Sequence, residues 1–280
     1  MQIRTSAGHE ISAELFASDG ELRGAALIVP AMGVTQAFYR ALASWLAGQG
    51  FLTVTFDYRG MGRSRHGRLR DVDANVIDWA VVDCAAMVDA MAARAPGKPL
   101  TWIGHSLGGQ LLGLVPNRAR IAKAVSIAAG SGYWRDNSPG LRWRVWVLWW
   151  LLVPLTVPVF GYFPGKRLRL VGDVPGPAMR QWRRWCLDPD YVVGAEGEAM
   201  RARYAAVDTP IHSLSFTDDE FMSARSIDAL LAFYTGAPQT ATRLHPRDVG
   251  ESRIGHFGFF RPRYEQSLWR PHLLPELARG

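Results

Sequence analysis

Apolar residues along the first half of the chain follow two alternating patterns. Ala25 to Val29, Phe51 to Phe56, Leu100 to Ile103 and Ala122 to Ala129 are short, nearly continuous apolar or β-branched runs, the signature of strands buried on both faces. Between them, Phe38, Leu42, Trp45 and Leu46 recur at helical spacing within 36–49, and Gly50 is placed to stop that helix. A second helical face runs through Val76, Ile77, Val81, Val82, Ala85, Val88 and Met91. Upstream, Ile3 to Leu15 alternates as a hairpin or strand pair, followed by the turn residues Ser18-Asp19-Gly20. The order returns after 206, with a strand over Ile211 to Phe216, a short helix over 226–234 and a last strand over Thr240 to Leu244. The segment from Tyr264 to Leu277 reads as helical in parts, with breaks expected at Pro271 and Pro275. Strands alternating with helices predict an α/β three-layer sandwich, a mostly parallel sheet joined by helical crossovers.

Residues 131–205 depart from this pattern. Four tryptophans, Trp143, Trp146, Trp149 and Trp150, fall within eight residues, and no charge occurs from Val145 to Phe163. The stretch is long and apolar enough to cross a membrane, but Pro154 and Pro158 oppose a straight helix. A further short helix is expected over Pro175 to Leu187. The division predicted is a core of 1–130 and 206–280, with 131–205 as a Trp-rich cap or lid.

Charge and cysteine content narrow the possibilities. The net charge of +7 comes from scattered arginines rather than basic blocks, which favours a solvated basic surface over nucleic-acid binding. Cys84 and Cys186 are the two cysteines of the chain and make neither a disulfide framework nor a metal cluster. Met1 to Thr5 shows no apolar core of a secretory signal, so a cytoplasmic location is expected. No H-E-x-x-H, P-loop or strand-linked G-x-G-x-x-G occurs, and no cofactor or metal is expected.

The candidate chemistry sits at strand ends, where Met32, Asp57, Ser106 and Gly130 all fall. Gly104-His105-Ser106-Leu107-Gly108-Gly109 follows a predicted strand and opens a helix-compatible run, the context of a nucleophile elbow. A serine nucleophile needs a general base and a group to orient it. Among the later histidines, His245 reads as structural and His272 as a surface residue, whereas His256 lies between glycines in the loop after the last strand. Asp218 and Asp219 both stand at the end of the strand that resumes the sheet, and the placing of Asp219 between Phe216 and Ser223 resembles an acid turn G-x-x-D-x-x-x-P with both end residues replaced, which favours Asp219. The backbone N–H groups of Leu107 and Met32 are placed to form an oxyanion hole. His105 reads as packed beside the nucleophile and turned away from the base, while Asp57 and Arg59 read as holding a turn.

G-H-S-L-G-G, the earlier D-Y-R-G-M-G-R-S turn and the late G-H-F-G loop resemble the α/β-hydrolase superfamily, in its serine esterase, lipase and S33 aminopeptidase-like branch. The likeness covers about 20–130 and 206–260. It implies Ser106, Asp219 and His256 as a catalytic triad and Met32 and Leu107 at the oxyanion hole. Two departures stand out: Pro30-Ala31-Met32-Gly33 replaces the family's usual H-G, and the acid turn lacks its glycine and proline. With such a triad, one membrane crossing between Ser106 and Asp219 would separate nucleophile from base. The cap must then fold back on the same domain. A lid bearing Trp143, Trp146, Trp149 and Trp150 suits a small-molecule acyl substrate, with peripheral membrane contact at its rim. The expected reaction is hydrolysis of esters of apolar acyl groups. Amide or thioester hydrolysis, acyl transfer, and a non-catalytic lipid or partner binder are the alternatives.

Overall fold

The sequence patterns are realised in a computed structural model that describes residues 1–170 and 172–278. Strands β1 (Gln2–Arg4), β2 (Glu10–Phe16), β3 (Gly24–Val29), β4 (Phe51–Phe56), β5 (Leu100–His105) and β6 (Lys123–Ile127) precede the insertion. Within the insertion, β7 (Tyr162–Phe163) pairs antiparallel with β8 (Val174–Pro175), and β9 (Ile211–Phe216) and β10 (Gln239–Leu244) follow it. The main sheet has eight strands in the order β1-β2-β4-β3-β5-β6-β9-β10. β1 and β2 are antiparallel to their neighbours, and the pairs from β4 to β10 are parallel.

Successive residues of the central strands serve opposite faces of this sheet. Ala25, Leu27 and Val29 join one core cluster and Ala26 and Ile28 the other, so the uninterrupted apolar run is a consequence of burial on both sides. In register, Val29 lies beside Gly104, His105 beside Ile127, and Ile127 beside Leu214. The carboxyl ends of β3, β5, β6 and β9 therefore meet along one edge, where the loops that carry the candidate chemistry begin.

Prolines did not break the helices in which breaks were expected. Arg142–Phe160 is one 19-residue helix despite Pro154 and Pro158. It widens into a π-type turn over Leu148–Leu152, just ahead of Pro154. A wider turn relieves the clash between a proline ring and the carbonyl four residues earlier. The same device carries the chain through Pro271: Glu265–Leu273 is π-helical and continues into Leu274–Ala278.

The insertion between β6 and β9 is pinned to the helix that follows β5. Tyr191 Oη donates to Gln110 Oε1 at 2.7 Å, and Tyr204 Oη donates to the Gln110 carbonyl at 2.7 Å. Along Arg142–Phe160, Val145, Trp149, Val153 and Val157 are buried at intervals of four, one stripe of the helix. Trp143, Trp150, Leu151, Leu155 and Val159 are exposed on the same helix, of which only 22% is buried.

Candidate active site

Ser106 links β5 to the helix Leu107–Gln110 with φ +50° and ψ −114°, a conformation that L-residues other than glycine rarely adopt. The turn is possible because its neighbours lack side chains. A Cβ on Gly104 would lie 2.5 Å from Gly109 Cα, and one on Gly108 would lie 2.1 Å from the Val29 carbonyl oxygen. Ser106 N–H donates to the Ile127 carbonyl at 3.0 Å, and Gly109 N–H donates to the Ser106 carbonyl at 2.9 Å. The backbone is held, while the Ser106 hydroxyl is half-buried and makes no hydrogen bond among the described residues.

His256 lies in the one-turn helix Gly255–Gly258, 3% exposed, and its Nδ1 is 2.9 Å from Asp219 Oδ2 and 3.1 Å from Oδ1. Asp219 Oδ1 also accepts from Phe221 N–H at 2.8 Å and Met222 N–H at 2.9 Å, which fixes the carboxylate in the turn after β9. Asp218 is occupied elsewhere: its Oδ2 accepts from Ile254 N–H at 2.8 Å and Gly255 N–H at 3.1 Å. One aspartate thus touches the imidazole and the other holds the loop that carries it. Glu220 adds a third tie, accepting from His256 N–H at 3.1 Å. With its Nδ1–H given to Asp219, His256 presents Nε2 as the acceptor.

The loop after β3 is clamped by Asp57. Its carboxylate accepts from Gln36 N–H at 2.8 Å, Gln36 Nε2 at 2.7 Å and Arg63 N–H at 2.9 Å. Gly62 makes room, since a Cβ there would sit 2.3 Å from Asp57 Oδ2. Asp57 and Arg59 do hold turns, Arg59 through its backbone N–H to Asp83 Oδ2 at 2.8 Å. Tyr58 Oη donates to the Pro30 carbonyl at 2.9 Å, and Ala31 N–H donates to Tyr39 Oη at 2.9 Å. The N–H groups of Met32 and Leu107 have no acceptor among the described residues.

His105 does not turn away from His256, as its place in the sequence suggested. The two rings lie 5.1 Å apart, and His105 Nε2 is 3.0 Å from the His256 carbonyl oxygen. β5 ends in a turn so tight that the side chain before Ser106 points into the packing between strand ends, where Phe260 lies 4.5 Å from its ring. Burial, and after it the neighbouring His256, hold its pKa well below the ordinary imidazole value.

The remaining sequence candidates are dispersed. His245 Nδ1 accepts from Arg247 N–H at 3.1 Å and caps a short turn after β10, and His272 is half-buried in the last helix. The four cap tryptophans do not share one surface. Trp149 is buried edge-on to Trp182 at 5.0 Å, whereas Trp143, Trp146 and Trp150 stack in a row at 5.4 and 5.9 Å, with Trp143 69% exposed. Tyr39, Glu220 and Ser138, whose hydroxyl donates to the Asp219 carbonyl at 3.0 Å, were not legible as site residues. Each belongs through a contact with a residue at least 36 positions away, and no local motif marks such contacts. Among the described residues, no group of three or more His, Cys, Asp and Glu side chains is placed to hold a metal ion.

Comparison with known proteins agrees with this fold. Among solved structures, a soluble variant of monoglyceride lipase from Saccharomyces cerevisiae superposes with a TM-score of 0.62 at 16% identity, covering 87% of this chain and 85% of that one. Est1E from Butyrivibrio proteoclasticus, solved with ferulic acid bound, gives 0.63 at 14% identity over 99% of both chains. A thermostable carboxyl esterase from Bacillus coagulans gives 0.61 at 13% identity, covering 88% of this chain and 89% of that one. At these identities the likeness establishes the fold. No curated protein matches the sequence. The sequence model of the family described as serine aminopeptidase, S33 matches residues 20–175, a span that runs from β3 through the elbow to β8. By that match and by its sheet, the chain belongs to the serine aminopeptidase S33 family of α/β-hydrolases.

Proposed function

We propose that the protein is a serine hydrolase that cleaves carboxylic esters of apolar acyl groups through an acyl-enzyme on Ser106. The observation that carries this reading is the conjunction of a serine at positive φ on a glycine-walled elbow with a buried His256 bonded through Nδ1 to Asp219. Ser106 Oγ attacks the ester carbonyl carbon as its proton passes to His256 Nε2. The N–H groups of Met32 and Leu107 donate to the oxyanion, and the alcohol departs with the proton from His256. Water then repeats the sequence on the acyl-enzyme, releasing the acid and restoring Ser106. The named activities of the structural neighbours, monoglyceride lipase and carboxyl esterase, support an ester over an amide or thioester. The aromatic rings beside His256, Phe221 at 4.8 Å and Phe257 at 4.9 Å, support an apolar acyl chain, the small-molecule partner of the site. A fluorophosphonate probe should label the wild type and fail to label Ser106→Ala. Absence of labelling in folded wild type would refute an enzymatic role and leave a non-catalytic binder.

A membrane surface is the second partner we propose, and the exposed helix face favours it. Trp143, Trp150, Leu151, Leu155 and Val159 stand exposed, with exposed Arg142 and Arg144 at one end and Lys166, Arg167 and Arg169 beyond the other. Among the described residues, none of these five basic side chains is in an ion pair. An apolar helix face bracketed by free cations suits the surface of an anionic bilayer. Crossing the bilayer would separate Ser106 from His256, so the helix lies on the membrane and the hydrolase core stays on one side of it. Sedimentation with phosphatidylserine-containing vesicles should exceed that with phosphatidylcholine alone and fall in Leu155→Asp/Val159→Asp. Equal sedimentation of that double variant would refute the surface.

A further inference from the structure

Three hydrogen bonds form one chain between loops that meet at the site from distant parts of the sequence. Ala31 N–H donates to Tyr39 Oη at 2.9 Å, Tyr39 Oη lies 2.9 Å from His105 Nδ1, and His105 Nε2 lies 3.0 Å from the His256 carbonyl oxygen. Tyr39 and His105 are fully buried, and His256 nearly so. Only one arrangement of protons satisfies every member. Because the His256 carbonyl can only accept, the His105 proton resides on Nε2 and is donated to it, and Tyr39 Oη, which accepts from Ala31, gives its own proton to the bare Nδ1. A proton on Nδ1 instead would leave a bare Nε2 facing the His256 carbonyl, acceptor against acceptor.

The chain begins one residue before Met32, passes through the residue before Ser106 and ends on His256. It therefore joins the three strand-end segments that bear the oxyanion donor, the nucleophile and the base. Aromatic rings close around it: Phe260 lies 4.5 Å from His105 and 5.0 Å from Tyr39, and Phe257 lies 5.6 Å from His105. Such packing excludes water that would otherwise substitute for a missing link.

We infer that Tyr39 and His105 are positioning residues that set the spacing of the Met32 N–H and the His256 imidazole about Ser106. The inference rests on the serine-hydrolase reading, since it gives these three groups their roles. Neither residue meets the reacting atoms; they act through the loops they tie. Their loss should appear in kcat, because misplacement of catalytic groups by about 1 Å reduces turnover up to ~100-fold while leaving ground-state binding largely intact.

The test combines kinetics with imidazole NMR. Tyr39→Phe and His105→Phe should each lower kcat for a p-nitrophenyl ester by about 10-fold or more with KM within about 3-fold, and slow fluorophosphonate labelling in step. His105→Gln retains a donor toward the His256 carbonyl and should recover part of the loss, which a purely space-filling role would not do. Imidazole 15N shifts should show wild-type His105 as the neutral Nε2–H tautomer, and Tyr39→Phe, which removes the donor to Nδ1, should move the Nδ1 resonance downfield to that of an unbonded acceptor nitrogen. Wild-type kcat and labelling in folded Tyr39→Phe and His105→Phe, or an Nδ1–H tautomer at His105, would overturn the relay. If the folded wild type does not label, the serine-hydrolase reading fails and the relay's catalytic role with it, whereas the tautomer still decides whether the chain itself exists. If His105→Phe does not fold, Tyr39→Phe, which removes one oxygen from the chain, carries the kinetic test.

Discussion

Adding one methyl group at Gly108 tests how the elbow is joined to the loop that carries Met32, the proposed oxyanion donor. Gly108 lies two residues after Ser106, and a Cβ there would stand 2.1 Å from the Val29 carbonyl oxygen, 2.7 Å from its carbon and 3.0 Å from the Pro30 carbonyl oxygen. All three are backbone atoms, so no side-chain rotation relieves the contact. Moving the Val29 oxygen to 3.0 Å, the shortest separation that real Cβ atoms show, takes a displacement of about 0.9 Å. That movement falls at the end of β3, three residues before Met32. Overpacking of this kind costs about 1–3 kcal/mol, a fall in Tm of roughly 2–10 °C for a chain of this size. The larger effect should be kinetic, because an oxyanion donor shifted by about 1 Å lowers kcat/KM by ~100-fold. Gly140→Ala is the control, since a Cβ there meets nothing within 4 Å and its φ is unexceptional. Circular-dichroism melts and p-nitrophenyl ester turnover on both variants decide the matter. Wild-type turnover in Gly108→Ala would refute the coupling between the elbow and the loop after β3.

The two neighbouring aspartates should separate by mechanism. Asp219→Asn, which weakens the bond to His256 Nδ1, should lower kcat by ~10^3-fold or more, whereas Asp218→Asn loosens the loop at Ile254 and Gly255 and should act mainly on thermal stability; the reverse ranking in kcat would refute the pairing. Asp83 gives a pH signature. Burial raises its pKa from 3.8 to about 7, and only its Oδ2 is bonded, to Arg59 N–H. A carboxyl whose folded pKa lies above its unfolded one destabilises the fold progressively as pH rises from about 4 to 7, and fully above that, by up to ~4 kcal/mol. Denaturation midpoints of the wild type should therefore fall over that window relative to Asp83→Asn, and parallel pH profiles of the two proteins would show that Asp83 does not titrate there.

Local patterns reached as far as the strands, the crossovers and the identity of the elbow. Burial on both faces of a parallel sheet demands continuous apolar runs, and the strained turn at Ser106 admits only glycine at Gly104 and Gly108. Both demands act on neighbours in sequence, so both leave a local mark. Asp218 and Asp219 share a strand end and a charge, and only the fold of the loop 36 or 37 residues later assigns one to the backbone and the other to His256. The reach of His105 is more distant still, since its partner His256 lies 151 residues on. Prolines were read by the rule for a regular α-helix, and the widened turns that accommodate them are set by packing. The hydropathy of Arg142–Phe160 likewise marked an apolar helix but not which of its faces would be buried. The sequence by itself thus determined the elements and the residue types at the site, because those follow from burial and from backbone sterics between near neighbours. Which aspartate meets the histidine, what His105 touches and where the tryptophans point were decided by the tertiary structure alone, because each depends on contacts between segments that only the closed sheet brings together.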